Sequence, residues 1–230
     1  MLSIILILQF AILALITRSF SKSLFIFWLL LTRSKSWAMR FTAVTLLPGT
    51  IIHELSHWLT AELLGVPTGE ITLIPRFEEG LELKMGSVAI AKKDPFRRTL
   101  IGLAPLFTGL TLISVAAYFL PFPVWSNFNL FPHSLLVIAI FLVSNTMFSS
   151  KKDLEVAVPF FLFLLLAGAA WWYFSLPFPK EITAFLANLS QKLLPALTVT
   201  LGINLIFLLF VKLLTFYFER VLKRKVIVSS

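Results

Sequence analysis

The sequence H-E-x-x-H occurs at residues 53–57, inside a long apolar segment that covers residues 41–66. In a helix, residues four positions apart share a face, so the imidazoles of His53 and His57 are expected to point the same way. Two imidazole nitrogens on one face are suitable ligands for a single zinc ion. Glu54 is expected about 100° around the helix, where its carboxylate can act as general base on a water molecule beside the metal. The pattern therefore predicts a zinc site.

A catalytic zinc of this kind needs a third protein ligand, and because the chain has no Cys the candidates are His and carboxylate side chains. The third histidine, His133, stands alone in a proline-rich loop and is expected to be interfacial, which leaves a carboxylate. The chain has two Asp residues. Asp94 precedes a proline and is explained as the N-cap of a helix. Asp153 lies at the end of a predicted span, at the same predicted depth as His57. Glu155, two residues further on, competes with Asp153 for this role.

The composition predicts that these residues lie in a membrane protein. The chain of 230 residues is 58% hydrophobic and 13% charged, whereas soluble proteins are about a quarter charged. Several apolar runs approach the roughly 20 residues that cross a bilayer. We therefore expect an all-α polytopic membrane protein with about six transmembrane helices, built as one membrane-embedded domain over residues 1–230.

This domain is expected to have three parts. Residues 1–40 form N-terminal helices, with a first helix over 2–16 and a short apolar run over 24–31 that is either a short span or an interfacial helix. Residues 41–174 form a catalytic core. Residues 175–230 contain an amphipathic surface helix over 177–194, a last span over 196–218 and a basic tail. Within the core, the helix that carries the motif is expected to be well defined only from Pro48 onward.

A polar segment after the motif helix, residues 70–91, is predicted to form a small β-hairpin or meander. Apolar and polar residues alternate over 70–74 and over 81–85, and residues 87–91 are typical of a third short strand. A free strand edge beside a metal site is able to bind an extended peptide by strand addition. A hairpin at the membrane surface without any role in substrate binding explains the same pattern.

The basic residues indicate contact with lipid. The net charge of +9 comes from Lys and Arg residues that cluster at the ends of apolar segments. Such residues set membrane topology and contact anionic lipids, so nucleic acid is not an expected partner. A cytoplasmic basic tail places Lys151, Lys152, Arg97 and Arg98 on the cytoplasmic side as well. The predicted active site then faces the cytoplasm.

Together these features resemble the site-2 protease type of intramembrane zinc metalloprotease. That family carries H-E-x-x-H in one membrane helix and, in a later helix, an Asn followed eight residues on by an Asp, usually as N-x-x-P-x-x-x-L-D-G. Asn145 and Asp153 have this spacing, although Phe148 stands at the proline position and Lys152 and Leu154 flank the Asp. The β-rich segment after the motif helix is also similar to the family. No PDZ-like insertion is present between residues 41 and 174, so the chain resembles a minimal member.

The resemblance implies a membrane zinc metalloendopeptidase that hydrolyses peptide bonds of membrane-spanning or membrane-associated proteins, in the manner of regulated intramembrane proteolysis. It implies His53, His57 and Asp153 as ligands of Zn²⁺ and Glu54 as the catalytic base. It implies that Asn145 binds the substrate backbone. The expected location is the cytoplasmic membrane of a prokaryote. The alternative function is a zinc-binding scaffold, a pseudoprotease or a metal transporter without hydrolytic activity.

Overall fold

The structure is a computed structural model of the 230-residue chain. The residues described are 2–72, 76–78, 82–84, 87–91, 94–120, 130–148, 158, 162–163, 165–171, 173–175, 177 and 179–223. They are mostly helical, as predicted. The helices are α1 (Leu2–Thr32), α2 (Lys35–Leu63), α3 (Pro95–Tyr118), α4 (Leu130–Thr146), α5 (described over residues 165–171) and α6 (Lys180–Val221).

Three of the described helices are long and apolar enough to span a membrane, namely Ile4–Thr32 in α1, together with α3 and α6. The apolar helix α4 has 17 residues and is shorter than a typical span. The motif helix α2 has 29 residues but is not among the three. It carries several charged residues, including Glu54 and Glu62. The structure is thus compatible with an integral membrane protein, and the predicted number of about six spans is not confirmed.

Both ends of the chain form longer helices than the sequence suggested. Residues 2–16 and 24–31 belong to one continuous helix, α1, because the segment between them contains no Gly or Pro that would break it. Residues 177–194 were expected to form a surface helix apart from the last span, but α6 continues through Pro195. At about 1.5 Å per residue α6 is roughly 63 Å long, about twice the hydrocarbon thickness of a bilayer. The helix is therefore longer than a single crossing of a bilayer requires.

The motif helix α2 also begins earlier than expected. Ser34 is its N-cap, and the Ser34 side chain accepts a hydrogen bond from the backbone N–H of Trp37. The helix then continues through Pro48 without interruption. The residues of the motif therefore lie in the second half of a long helix.

The segment after α2 contains antiparallel β-structure, as predicted, but the described residues form four short strands in two pairs and not the three strands expected. Strand β1 (Thr68–Thr72) pairs with β4 (Ser87–Ile90), and between them β2 (Arg76–Glu78) pairs with β3 (Glu82–Lys84). Thr68 lies opposite Ile90 and Thr72 lies opposite Ser87. The β2–β3 pair lies in the segment that connects β1 to β4. Because β1 follows α2 and β4 precedes α3, the β1–β4 pair brings the start of α3 close to the end of α2.

The helices pack through apolar clusters that connect α4 with α1, α2, α3 and α6. One cluster contains Leu13, Ile113, Ile140, Met147 and Leu197. A second cluster joins Phe20 to Phe141, whose rings meet edge to face with centroids 4.8 Å apart. These contacts fix the end of α4 against the motif helix, which is the arrangement that builds the site.

Candidate metal site

The two motif histidines meet at their Nε2 atoms. His53 Nε2 and His57 Nε2 are 3.2 Å apart, and the two rings are nearly perpendicular. His57 and Glu54 are buried, with 6% and 8% of their surface exposed, and His53 is half-buried. The spacing of four residues along α2 accounts for the convergence, because such residues are neighbours on one helical face.

The Nδ1 atoms of both rings contact backbone carbonyls of other helices. His53 Nδ1 lies 2.7 Å from the carbonyl oxygen of Thr146 in α4. His57 Nδ1 lies 2.8 Å from the carbonyl oxygen of Ile101 in α3. A carbonyl only accepts hydrogen bonds, so each Nδ1 must carry the proton and donate it. In the neutral form each Nε2 then carries a lone pair, and the two lone pairs lie on converging atoms.

The two carbonyls are available because of their positions in their helices. Thr146 is the last residue of α4, so its carbonyl has no partner within that helix. Ile101 lies four residues before Pro105, which is inside α3 and has no N–H to donate back to the Ile101 carbonyl. A helix end and a proline thus supply the two acceptors that orient the imidazoles.

Two glycines let α4 approach closely enough for these contacts. A Cβ at Gly49, one turn before His53, would lie 2.5 Å from both the Leu142 carbonyl oxygen and Thr146 Oγ1. A Cβ at Gly109 in α3 would lie 2.5 Å from the Cβ of Met147. Real Cβ atoms do not come this close to their neighbours. The end of α4 therefore packs closely against α2 at Gly49 and against α3 at Gly109. This packing places the carbonyl of Thr146 within hydrogen-bond distance of His53.

The end of α2 positions α3 beside His57. Gly65 has φ +64° and donates its N–H to the carbonyl of Glu62, while Val66 N–H bonds to the carbonyl of Ala61. This is a Schellman motif, which requires one residue in the left-handed backbone conformation, and glycine adopts that conformation most easily. Val66 packs with Ala61 and Ile101 in a buried cluster. The turn that ends the motif helix therefore holds the backbone of Ile101 next to His57.

The histidine pair fits a zinc ion. Two nitrogen ligands at about 2.0–2.1 Å from one tetrahedral zinc lie roughly 3.3–3.4 Å apart, close to the observed separation of 3.2 Å. Two lone pairs at this distance repel each other unless a cation or a proton lies between them. In zinc sites the second imidazole N–H is usually bound by a carboxylate or a carbonyl, as both Nδ1 atoms are here.

The predicted third ligand cannot be placed. Asp153 and its competitor Glu155 lie outside the described residues. Within the described part of the chain, no third His, Asp or Glu completes a group around the histidine pair. Asp94 caps α3 as predicted, since its carboxylate accepts a hydrogen bond of 3.0 Å from the N–H of Arg97. That bond, and the positive charge of Arg97, lower the pKa of Asp94 below 3.8.

Asn145, the residue predicted to bind substrate, lies one residue before the carbonyl that contacts His53. Its Nδ2 donates to the Phe141 carbonyl at 2.8 Å and to Asn204 Oδ1 at 2.7 Å. Asn204, in α6, is fully buried and donates in turn to Ser144 Oγ and to the Thr200 carbonyl.

Asn204 is not among the site residues predicted from the sequence. The signal was nevertheless present, because this is a lone amide in an otherwise apolar part of the last helix, and polar side chains at that depth are rarely without function.

Comparisons with models of protein families, with curated proteins and with solved structures found no significant match to the chain.

Proposed function

We propose that the chain is an intramembrane zinc metalloprotease of the site-2 protease type, which hydrolyses peptide bonds of membrane-spanning or membrane-associated proteins. The observation that carries this proposal is the convergence of His53 Nε2 and His57 Nε2 at 3.2 Å while both Nδ1 atoms are engaged by carbonyls. A pair of neutral imidazoles oriented in this way supplies two of the four ligands of a tetrahedral metal site. The adjacent Glu54 supplies a buried carboxylate on the same helix.

His53, His57 and Asp153 are the proposed metal ligands, with Glu155 as the alternative third ligand. The imidazole pair and the absence of cysteine favour zinc over softer or larger ions. When bound, zinc supplies a Lewis acid that lowers the pKa of water and polarises a carbonyl group. The protein holds the two imidazoles in place through the Thr146 and Ile101 carbonyls.

Glu54 is the proposed general base. Its carboxylate accepts a proton from the attacking water and passes the proton to the nitrogen of the leaving amine, which balances the hydrolysis of one peptide bond. Its burial supports this role, because a carboxylate that is only 8% exposed in a helix of a membrane protein is expensive to retain for structure alone.

The proposed location is the cytoplasmic membrane of a prokaryote, with the site toward the cytoplasm. Three helices of sufficient length and apolar character support the membrane setting. Arg97 and Arg98 in the first turn of α3 support the cytoplasmic side, because basic residues near span ends favour it. These residues follow the β-structure, so the β1–β4 pair is expected to lie at the same surface, where it can contact an extended peptide.

The alternative is a zinc-binding scaffold or a metal transporter that does not hydrolyse peptides. The same histidine pair supports metal binding in both cases. A transporter needs ionisable residues on several spans, and in the described spans α3 and α6 the buried residues include no Asp, Glu, Lys or Arg. This distribution favours the enzyme over the transporter, and hydrolysis separates the enzyme from a scaffold.

The decisive variant is Glu54→Gln, with Glu62→Gln as its matched control. Glu62 lies on the same helix but is exposed and accepts a hydrogen bond from Thr68. Both variants and the wild type are reconstituted with zinc and incubated with a single-span membrane protein, and the fragments are identified by mass spectrometry. We expect Glu54→Gln to keep zinc and lose activity by about 10²–10⁴-fold, while Glu62→Gln remains active. Full activity of Glu54→Gln, or no hydrolysis by the zinc-loaded wild type, would overturn the proposal.

A further inference from the structure

We propose that Asn204 of α6 is a positioning residue that fixes the side-chain amide of Asn145 in one orientation, so that Asn145 Oδ1 accepts a hydrogen bond from a backbone N–H of the bound peptide. The peptide as ligand rests on the proposed function. The orientation of the amide rests on hydrogen bonds between α4 and α6. It brings the last helix, which carries none of the predicted site residues, into the substrate site.

The hydrogen bonds determine which end of each amide faces which neighbour. Asn204 Nδ2 lies 2.9 Å from the Thr200 carbonyl and 2.8 Å from Ser144 Oγ. Because the carbonyl is only an acceptor, the nitrogen of Asn204 must face it, and Asn204 Oδ1 must face Asn145. Asn204 Oδ1 is therefore a fixed acceptor at the α4–α6 contact.

The same argument orients Asn145. Its Nδ2 has two hydrogens, and they are used by the Phe141 carbonyl at 2.8 Å and by Asn204 Oδ1 at 2.7 Å. A rotation of the amide by 180° would bring Asn145 Oδ1 against these two acceptors and lose both bonds. Without Asn204, only the Phe141 carbonyl would oppose that rotation. Asn204 thus accepts one of the two hydrogen bonds that orient the Asn145 amide.

This arrangement leaves one group unsatisfied. Asn145 Oδ1 is a buried atom, and none of the residues that the structure describes donates a hydrogen bond to it. A buried acceptor without a donor is unfavourable, because it has lost its hydrogen bonds to water and gains none from the protein. A ligand that brings an N–H therefore gains a bond that the unliganded protein lacks, after displacing the side chains that cover the oxygen. The next residue, Thr146, contacts His53, so a peptide held by Asn145 lies beside the proposed metal ligands.

Asn204 is fully buried and makes three hydrogen bonds, which an apolar side chain of similar size cannot replace. This gives a test with graded variants. Asn204→Leu removes the acceptor for Asn145. Asn204→Asp keeps an oxygen at that position, and in its protonated form also keeps a donor for Thr200. Asn188→Leu is the control, since Asn188 lies on the same helix and is exposed.

The first measurement is independent of hydrolysis. The chain contains five Asn residues, so labelling with ¹⁵N-asparagine gives a small set of side-chain amide signals. The Asn145 pair is identified by its loss in Asn145→Leu. We expect Asn204→Leu to move at least one Asn145 amide proton upfield through loss of its hydrogen bond, and Asn188→Leu to leave both in place. Unchanged Asn145 signals in Asn204→Leu would overturn the inference, whether or not the protein is a protease.

The second measurement uses the zinc-loaded full chain and a synthetic single-span peptide whose cleaved bond is identified in the wild-type digest. Because Asn145 binds the peptide in the ground state and the transition state alike, we expect Asn204→Leu to raise KM by roughly 5- to 10-fold with little change in kcat. Asn204→Asp is expected to recover most of the wild-type KM. Equal impairment in the Leu and Asp variants, or a fall in kcat with loss of zinc, would show a packing role instead.

Ester analogues of the same peptide locate the donor. Replacing one backbone N–H by oxygen removes a donor without changing the side chains. In the wild type, one such position near the cleaved bond is expected to raise KM, and in Asn204→Leu the same replacement is expected to have a smaller effect. An equal effect in both proteins would contradict the inference. A zinc-loaded wild type that cleaves no peptide would contradict the proposed function, and the amide signals would still decide the role of Asn204.

Discussion

His57 donates its Nδ1 proton to the carbonyl oxygen of Ile101, across a distance of 2.8 Å between α2 and α3. The acceptor is available because Pro105, four residues further along α3, has no N–H. A residue that weakens one helix therefore orients an imidazole on another. This relationship gives the first prediction, in which helix stability and metal affinity change in opposite directions.

Pro105→Ala is expected to stabilise α3 and to weaken zinc binding. The new N–H competes with His57 Nδ1 for the Ile101 carbonyl, and loss of an outer partner of a ligand lowers metal affinity by about 10–100-fold. The helix itself gains up to about 3 kcal/mol from removal of an interior proline. Zinc titration and thermal unfolding of the apoprotein measure the two effects. Pro195→Ala in α6 is the matched control and should leave zinc affinity unchanged.

Gly49→Ala is expected to displace the end of α4 from the motif helix. Its Cβ would lie 2.5 Å from the Leu142 carbonyl oxygen and from Thr146 Oγ1, so the backbone must move and the bond between Thr146 and His53 lengthens. Overpacking of this kind costs about 1–3 kcal/mol. Thermal unfolding and zinc titration are the measurements.

Gly202→Ala provides the comparison for Gly49→Ala. Gly202 lies in α6, and a Cβ there meets nothing within 4 Å. This control is expected to be neutral or to stabilise the helix by up to about 1 kcal/mol. If both glycine variants bind zinc as the wild type does, the close approach at Gly49 has no part in building the site.

Acid is expected to remove a small part of the stability through Asp94. The N–H of Arg97 lowers the pKa of Asp94 in the folded protein below the unfolded value of 3.8. The contribution of ionised Asp94 to the free energy of unfolding is therefore complete above pH 3.8, and it is lost as the pH falls through the lower pKa of the folded protein. Asp94→Asn keeps an N-cap side chain but cannot titrate. Its unfolding midpoint should depend less on pH than that of the wild type in this range, and parallel curves would contradict the assignment.

The sequence was sufficient for the features that depend on local spacing. The convergence of the two histidines follows from their spacing of four residues in a helix. The role of Asp94 as N-cap follows from its position before Pro95. The β-structure follows from the alternation of apolar and polar residues between glycines. Each is decided by neighbours in the chain, so no knowledge of packing was required.

The sequence was not sufficient for the features that depend on contacts between distant segments. The carbonyl partners of the imidazoles come from 44 and 93 residues away. The contact of Asn145 with Asn204 spans 59 residues. The sequence also does not show which backbone carbonyl accepts a hydrogen bond from a side chain. The exception is a carbonyl four residues before a proline such as Pro105, because the proline has no N–H to donate to it. The continuity of α1 and α6 was missed because charged residues or a proline inside an apolar run resemble boundaries between elements.

The central claim is that His53, His57 and a carboxylate hold one zinc ion. X-ray absorption at the zinc edge of the purified, zinc-loaded protein tests it most directly. We predict one zinc per chain, bound by two imidazole nitrogens at about 2.0–2.1 Å and otherwise by oxygen ligands. In Asp153→Ala we expect the zinc to lose one oxygen ligand or to be absent. A protein that binds no zinc, or a zinc ion with fewer than two imidazole ligands, would contradict it.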